Sequence, residues 1–132
     1  MAVQFAGQHN AELLIVHVIR DMQIPFETKE IPELEFNKFE AFSDAREEVM
    51  RKVAESVLRT AKEKAEKAGA EKVETAIGTG DPATSILDFA RRRKVDMIVI
   101  GTRGLGKLKG TILGSVSRKI TNNAETSCLI VR

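Results

Sequence analysis

Three short apolar runs, Leu13–Ile19, Met97–Ile100 and Cys128–Val131, are almost unbroken and are set apart by stretches of helical length. Runs of this kind, rich in β-branched residues, are expected of strands covered on both faces. A fourth differs: Val73, Thr75 and Ile77 alternate with Lys72, Glu74 and Ala76, the pattern of an edge strand with one wet face. The order strand–helix–strand–helix–strand–helix–strand specifies an α/β fold, an open parallel sheet with helices on both faces and right-handed crossovers. Ligands of such sheets sit beyond the carboxyl ends of the strands.

The helices have readable limits. Val49, Val53, Val57, Ala61 and Ala65 recur every four residues, which predicts a helix over about 43–68 with that stripe on the core. Gly69 follows as a natural terminator. Asp81-Pro82 is an N-cap followed by a proline at the first helical position, and Ile86, Leu87, Phe89 and Ala90 supply the buried side. Arg91-Arg92-Arg93-Lys94 reads as a last turn complementing the helix dipole rather than as a nucleic-acid patch. The final helix is expected over about 112–123. Residues 20–42, with two prolines and no clear period, are too long for an ordinary strand-to-helix loop. They are read as a lid, a partner contact or a self-packed loop.

With 132 residues and 42% apolar side chains, the chain suits one domain with a sizeable core. Its 21 basic and 19 acidic side chains leave a net charge of +2, too balanced for bulk attraction to nucleic acid or a membrane surface. The lone Cys128 lies inside an apolar run and reads as a small buried hydrophobe in a reducing compartment. Neither a leader pattern at MAVQFAGQHN nor an apolar stretch of about 18 residues is present, so a cytoplasmic, soluble protein is expected.

Chemistry concentrates where the second unbroken apolar run ends, in DMIVIGTRGLGKLKGTILGSV, residues 96–116. A buried strand opens there into glycines and basic residues, able to present bare backbone N–H groups to an anion. Gly101 to Lys107 satisfy the first seven positions of a Walker A loop, but Leu108 stands where Ser or Thr must ligate Mg2+. No dinucleotide fingerprint runs from strand into helix. His9 and His17 lack neighbours at zinc spacing, His17 reading as a core histidine, and no nucleophilic triad is defensible.

What fits is G-x2-G-x9-G-[S/T], at Gly101, Gly104, Gly114 and Ser115. Gly101 and Gly104 remove Cβ atoms where phosphates approach the main chain, while Gly114 and Ser115 offer an N–H and a hydroxyl near a helix N-terminus. Arg103, Lys107 and Lys109 can add charge or simply solvate the loop. A tight connection needing positive φ is the competing explanation of the glycines.

At these residues the chain resembles the universal stress protein family, in its ATP-binding branch. AELLIVHVI resembles the family's second strand, GDPATSILDFARRRKVDMIVIGTRG its third helix and fourth strand, and LGSVSRKITNNAETSCLIVR its closing helix and strand. The resemblance implies a Rossmann-like fold in which Val18 and Ile100 border the base and Val116 lends backbone to the phosphates. It also implies ATP, with or without Mg2+, as ligand, and a homodimer through Cys128–Val131. Family members open with a strand whose closing turn carries an aspartate facing the adenine-ribose end. This chain begins in what resembles the first helix, Ala2–His9. In the family that strand lies between the second and fourth, so its loss should leave two strands with unpaired edges. A truncated start, closure of the two strands, or filling by another chain would each resolve this.

The expected function is a nucleotide-dependent switch in the stress response, any hydrolysis being slow for want of an evident general base or carboxylate metal set. A dimeric stress scaffold without nucleotide is the alternative. An adenylyltransferase would need a histidine-rich phosphate motif that the sequence lacks.

Overall fold

The computed structural model describes residues 1–21, 33–102 and 113–132. Its elements are α1 (Ala2–His9), β1 (Leu13–Ile19), α2 (Glu33–Lys67), β2 (Val73–Thr79), α3 (Pro82–Arg92), β3 (Met97–Gly101), α4 (Ser115–Asn123) and β4 (Ser127–Val131). Arg103, Gly104, Lys107 and Lys109 lie outside the described residues.

The strands pair in parallel, two and two. β1 runs beside β2 from Leu13↔Val73 to Ile19↔Thr79, and β3 beside β4 from Met97↔Ser127 to Gly101↔Val131. No ladder joins β1 to β3 among the described residues. The expected unpaired edges are therefore present, and the two strands have not closed on one another. Although its sequence suits a strand covered on both faces, β1 has every residue only half-buried.

Helices cover both faces of β1 and β2. Leu13, Ile15 and Val73 pack with Val3 of α1, with Ala65 of α2, and with Ala70. Alternation along the strand turns Gly78 the other way, toward Ser85 and Phe89 of α3. The same helix supplies Ala83, Ile86, Leu87 and Ala90 to a second cluster with Ile98, Ile100, Val116 and Ile120. One helix thus packs on both strand pairs.

Gly78 is where that packing is tightest. A Cβ there would stand 2.1 Å from Ser85 Oγ and 3.1 Å from the Phe89 ring. Gly78→Ala should therefore destabilise the fold by about 1–3 kcal/mol, as overpacking does. Ser85→Ala in the same chain should recover part of that loss in urea denaturation. Full additivity of the two substitutions would show that this contact is not the cause.

The long helix departs from expectation twice. It starts at Glu33, so residues 33–42 belong to α2 rather than to an irregular connection. Glu, Leu, Lys and Ala sustain a helix, and Pro32 immediately before Glu33 is a start signal that the scattered aromatics obscured. Only the C-terminal end of the expected stripe is covered: Ala65 is buried and Ala61 partly so, whereas Val49, Val53 and Val57 are about half exposed and Ala54 and Leu58 are buried instead. A strict four-residue repeat gains about 40° per step on a helix of 3.6 residues per turn, so the stripe spirals off the core-facing side.

Two members of the basic run that closes α3 have carboxylate partners. Arg91 pairs with Asp88 and Glu125, and Arg93 pairs with Glu74. Cys128 is a half-buried free thiol packed on the α3–α4 cluster. No helix among the described residues is long and apolar enough to cross a membrane.

Candidate functional site

Parallel register brings the carboxyl ends of β1 and β2 to the same edge of the protein. The Gly80 N–H donates to the Ile19 carbonyl at 2.9 Å, which sets the turn after β2 beside Arg20 and Asp21. Gly80 holds φ +93°, and a Cβ on it would meet Asp21 Oδ2 at 3.4 Å. The backbone conformation favours glycine, whereas the neighbour would meet a Cβ only at ordinary contact distance.

Asp81 then caps α3. Its Oδ2 accepts from the Thr84 N–H at 2.9 Å and from the Thr84 hydroxyl at 2.7 Å. The same oxygen receives the Lys119 ammonium of α4 at 2.9 Å, and Lys119 also donates to Thr84 Oγ1 at 3.2 Å. The Thr84 N–H, then the Lys119 ammonium and the Thr84 hydroxyl, hold the Asp81 carboxyl well below the usual carboxylate range. It is therefore ionised throughout the physiological range.

These groups border a cavity of about 440 Å³. Arg20, Asp21 and the Gly80–Ala83 turn line one side, and Ser115, Val116 and Lys119 the other. The N-termini of α3 and α4 both open toward it.

At α4 the backbone is organised around Gly101 and Gly114. The Thr102 N–H donates to Val131 O, and the Gly114 N–H to Thr102 O, both at 2.8 Å. The buried Ser117, 4% exposed, donates its hydroxyl to Gly101 O at 2.6 Å. These bonds fix the start of α4 against the end of β3. They also correct one expectation, because the Gly114 N–H is engaged internally and is not offered to a ligand. Donors come one residue later: the first intrahelical bond runs from Arg118 N–H to Gly114 O, so the N–H groups of Ser115, Val116 and Ser117 precede the helical ladder. The dipole concentrates positive charge at this turn.

Gly114 has φ −60° and ψ 157°, extended backbone open to any residue. A requirement for positive φ does not explain this glycine.

Of the residues singled out from the sequence, Ser115 and Val116 line the cavity. Gly101 and Gly114 are not among its lining residues, but their backbones tie the start of α4 to the end of β3. Val18 lies in β1 opposite Gly78, two residues before Arg20, and Ile100 packs against the α3–α4 cluster. Neither of these two lines the cavity. Arg20, Asp21, Gly80, Asp81 and Lys119 do line it, yet sequence reasoning gave none of them a role in binding. Asp81-Pro82 carried a signal that was read as a helix cap alone. Lys119, one turn beyond Ser115 on the same side of α4, could have been found from its spacing.

The profile described as Universal stress protein family matches residues 1–132. The universal stress protein YxiE of Bacillus subtilis is 37% identical over 131 residues, covering 99% of this chain and 86% of its own length. Among solved structures, a universal stress protein in complex with cAMP is 25% identical with a TM-score of 0.65 and covers 98% of this chain and 80% of its own. UspA from Lactobacillus plantarum reaches a TM-score of 0.77 at 22% identity, over 99% of this chain and 84% of its own, which speaks for the fold.

Proposed function

Because the chain belongs to the universal stress protein family, we propose that it is an ATP-binding stress-response protein whose nucleotide state governs its interactions. The observation that carries this reading is the first turn of α4. There, peptide N–H groups ahead of the helical ladder border a cavity of about 440 Å³, behind a glycine whose backbone conformation any residue could adopt. Close approach of a ligand to the main chain is a reason for glycine at such a place, and phosphate is the ligand that helix N-termini favour. The volume lies within the range of small-molecule sites, roughly 300–1,000 Å³. The related structure that holds cAMP supports an adenine nucleotide as the class of ligand.

In this reading Ser115 and Val116 bind phosphate through their N–H groups, and the Ser115 hydroxyl adds a donor. Gly101, Gly104 and Gly114 keep side chains out of the way, while Val18 and Ile100 border the base. Among the described residues no three His, Cys, Asp or Glu side chains are grouped to hold a metal ion. Mg2+ would enter with the phosphates, as it commonly does at nucleotide sites. The proposed protein is a single cytoplasmic domain. Its homodimer would form through β4, which pairs only with β3 among the described residues and exposes Ile130.

Mass spectrometry of the small molecules released from freshly purified protein tests the reading, with calorimetric titration of ATP alongside. ATP or ADP at near-stoichiometric level, or saturable ATP binding, is the expected result. An empty protein of dimer mass that fails to bind added ATP would point instead to a scaffold.

A further inference from the structure

Among the described residues, Lys119 is the one cation that both borders the cavity and bridges its two helices. It stands one helical turn beyond Ser115 on the cavity side of α4, and its ammonium rests on Asp81 and Thr84 of the opposite wall. Resting on the nucleotide reading above, we propose that Lys119 is a specificity residue that leaves Asp81 to bind the phosphate chain, selecting nucleoside polyphosphates over ligands with little or no phosphate charge.

Three features of the geometry support an exchange. First, Asp81 does not depend on Lys119 to remain satisfied, because Thr84 gives it two further bonds, one from the backbone and one from the hydroxyl. The cap of α3 therefore survives the departure of the lysine. Second, both partners of the ion pair are about half exposed, and pairs of that kind hold weakly. A charge-assisted bond to phosphate beside the α4 N-terminus is the stronger alternative. Third, a lysine carries its charge on a flexible four-carbon stem, so the ammonium can pivot toward the Ser115–Val116 turn while α4 stays in place.

Charge balance explains why such a device is useful. Among the described residues, the charged side chains around the cavity are two cations, Arg20 and Lys119, and two anions, Asp21 and Asp81. While Lys119 rests on Asp81 its field is largely spent there. Only a ligand carrying enough negative charge to compete with a carboxylate draws the ammonium away, which grades ligands by their phosphate charge.

The ion pair could also be purely structural, a tie between α3 and α4. Opposite substitutions separate the two roles. Lys119→Met should weaken ATP binding roughly tenfold while changing adenosine binding little. Asp81→Asn keeps an oxygen to cap α3 but removes the competing charge, and it should tighten ATP binding several-fold. A structural tie would instead make the two variants behave alike, since each breaks the same pair. The decisive measurement is the ratio of ATP to adenosine affinity in wild type and both variants, with thermal unfolding followed in parallel. If wild type binds ATP but the ratio is unchanged by Lys119→Met, or Asp81→Asn weakens ATP as Lys119→Met does, the assignment of Lys119 is wrong and the nucleotide site stands. If wild type binds neither ligand, the nucleotide reading itself fails, and this assignment with it.

Discussion

Gly114→Val is expected to lower ATP affinity by at least about 100-fold, the equivalent of roughly 2.7 kcal/mol of binding energy, while the protein still folds. Gly114 sits at φ −60°, ψ 157°, in the extended region that β-branched residues accept readily. Its N–H can keep the bond to Thr102 O after substitution, because that bond uses no side chain. As a helix cap without a side-chain hydrogen bond, Gly114 contributes modestly, and valine in its place should cost the helix about 1 kcal/mol or less. What changes is access. Two methyl groups would stand at the first turn of α4, where the N–H groups of Ser115 and Val116 precede the helical ladder. Calorimetric titration with ATP, paired with circular dichroism, gives both answers from one preparation. Undiminished affinity in a folded variant would remove the central support for phosphate binding at this turn.

Ile120→Ala should produce the largest loss of stability, about 3 kcal/mol, within the range of 2–5 kcal/mol typical of such truncations. Ile120 is 0% exposed and is the largest fully buried side chain among the described residues. It packs with Ala83 of α3 and Ile98 of β3, in the cluster that also receives Val116, Ile100 and Cys128. Alanine would leave a void in the contact that joins α4 to both α3 and the second strand pair. The midpoint of thermal unfolding should fall by roughly 10 °C for a chain of this length. Ile120 lies one turn beyond Val116, so the variant should also bind ATP less tightly at temperatures where it remains folded. A midpoint within a degree or two of wild type would mean that this cluster does not hold the second strand pair to α3.

The two variants locate the strengths and limits of the sequence reading. Strand positions were legible because unbroken β-branched runs have few other uses, and β1, β3 and β4 lie within a residue of the expected limits. The start of α3 was legible for a local reason, since Asp81 and Thr84 make the cap within a single turn. The face of α2 was not. A four-residue repeat fixes which residues lie near one another on the helix but drifts around its axis, and the sheet decides which part of the arc is covered. Residues 33–42 were hidden because scattered aromatics with a nearby proline resemble a loop.

The candidate site divides along the same line. The glycines and Ser115 could be singled out from the sequence because their meaning is local, small residues at a helix start suiting an anion wherever the helix is placed, whereas Val116 came from the family resemblance. Arg20, Asp21, Asp81 and Lys119 mean nothing together until Ile19 lies beside Thr79 and α3 packs against α4. By itself the sequence determined the strands, the order of elements, the family and the small residues and leading amides of one helix turn, all set by patterns within a few residues. Only the tertiary structure decided which charges share the cavity, which N–H is already engaged and which helix face is covered, because those depend on long-range packing that no local pattern encodes.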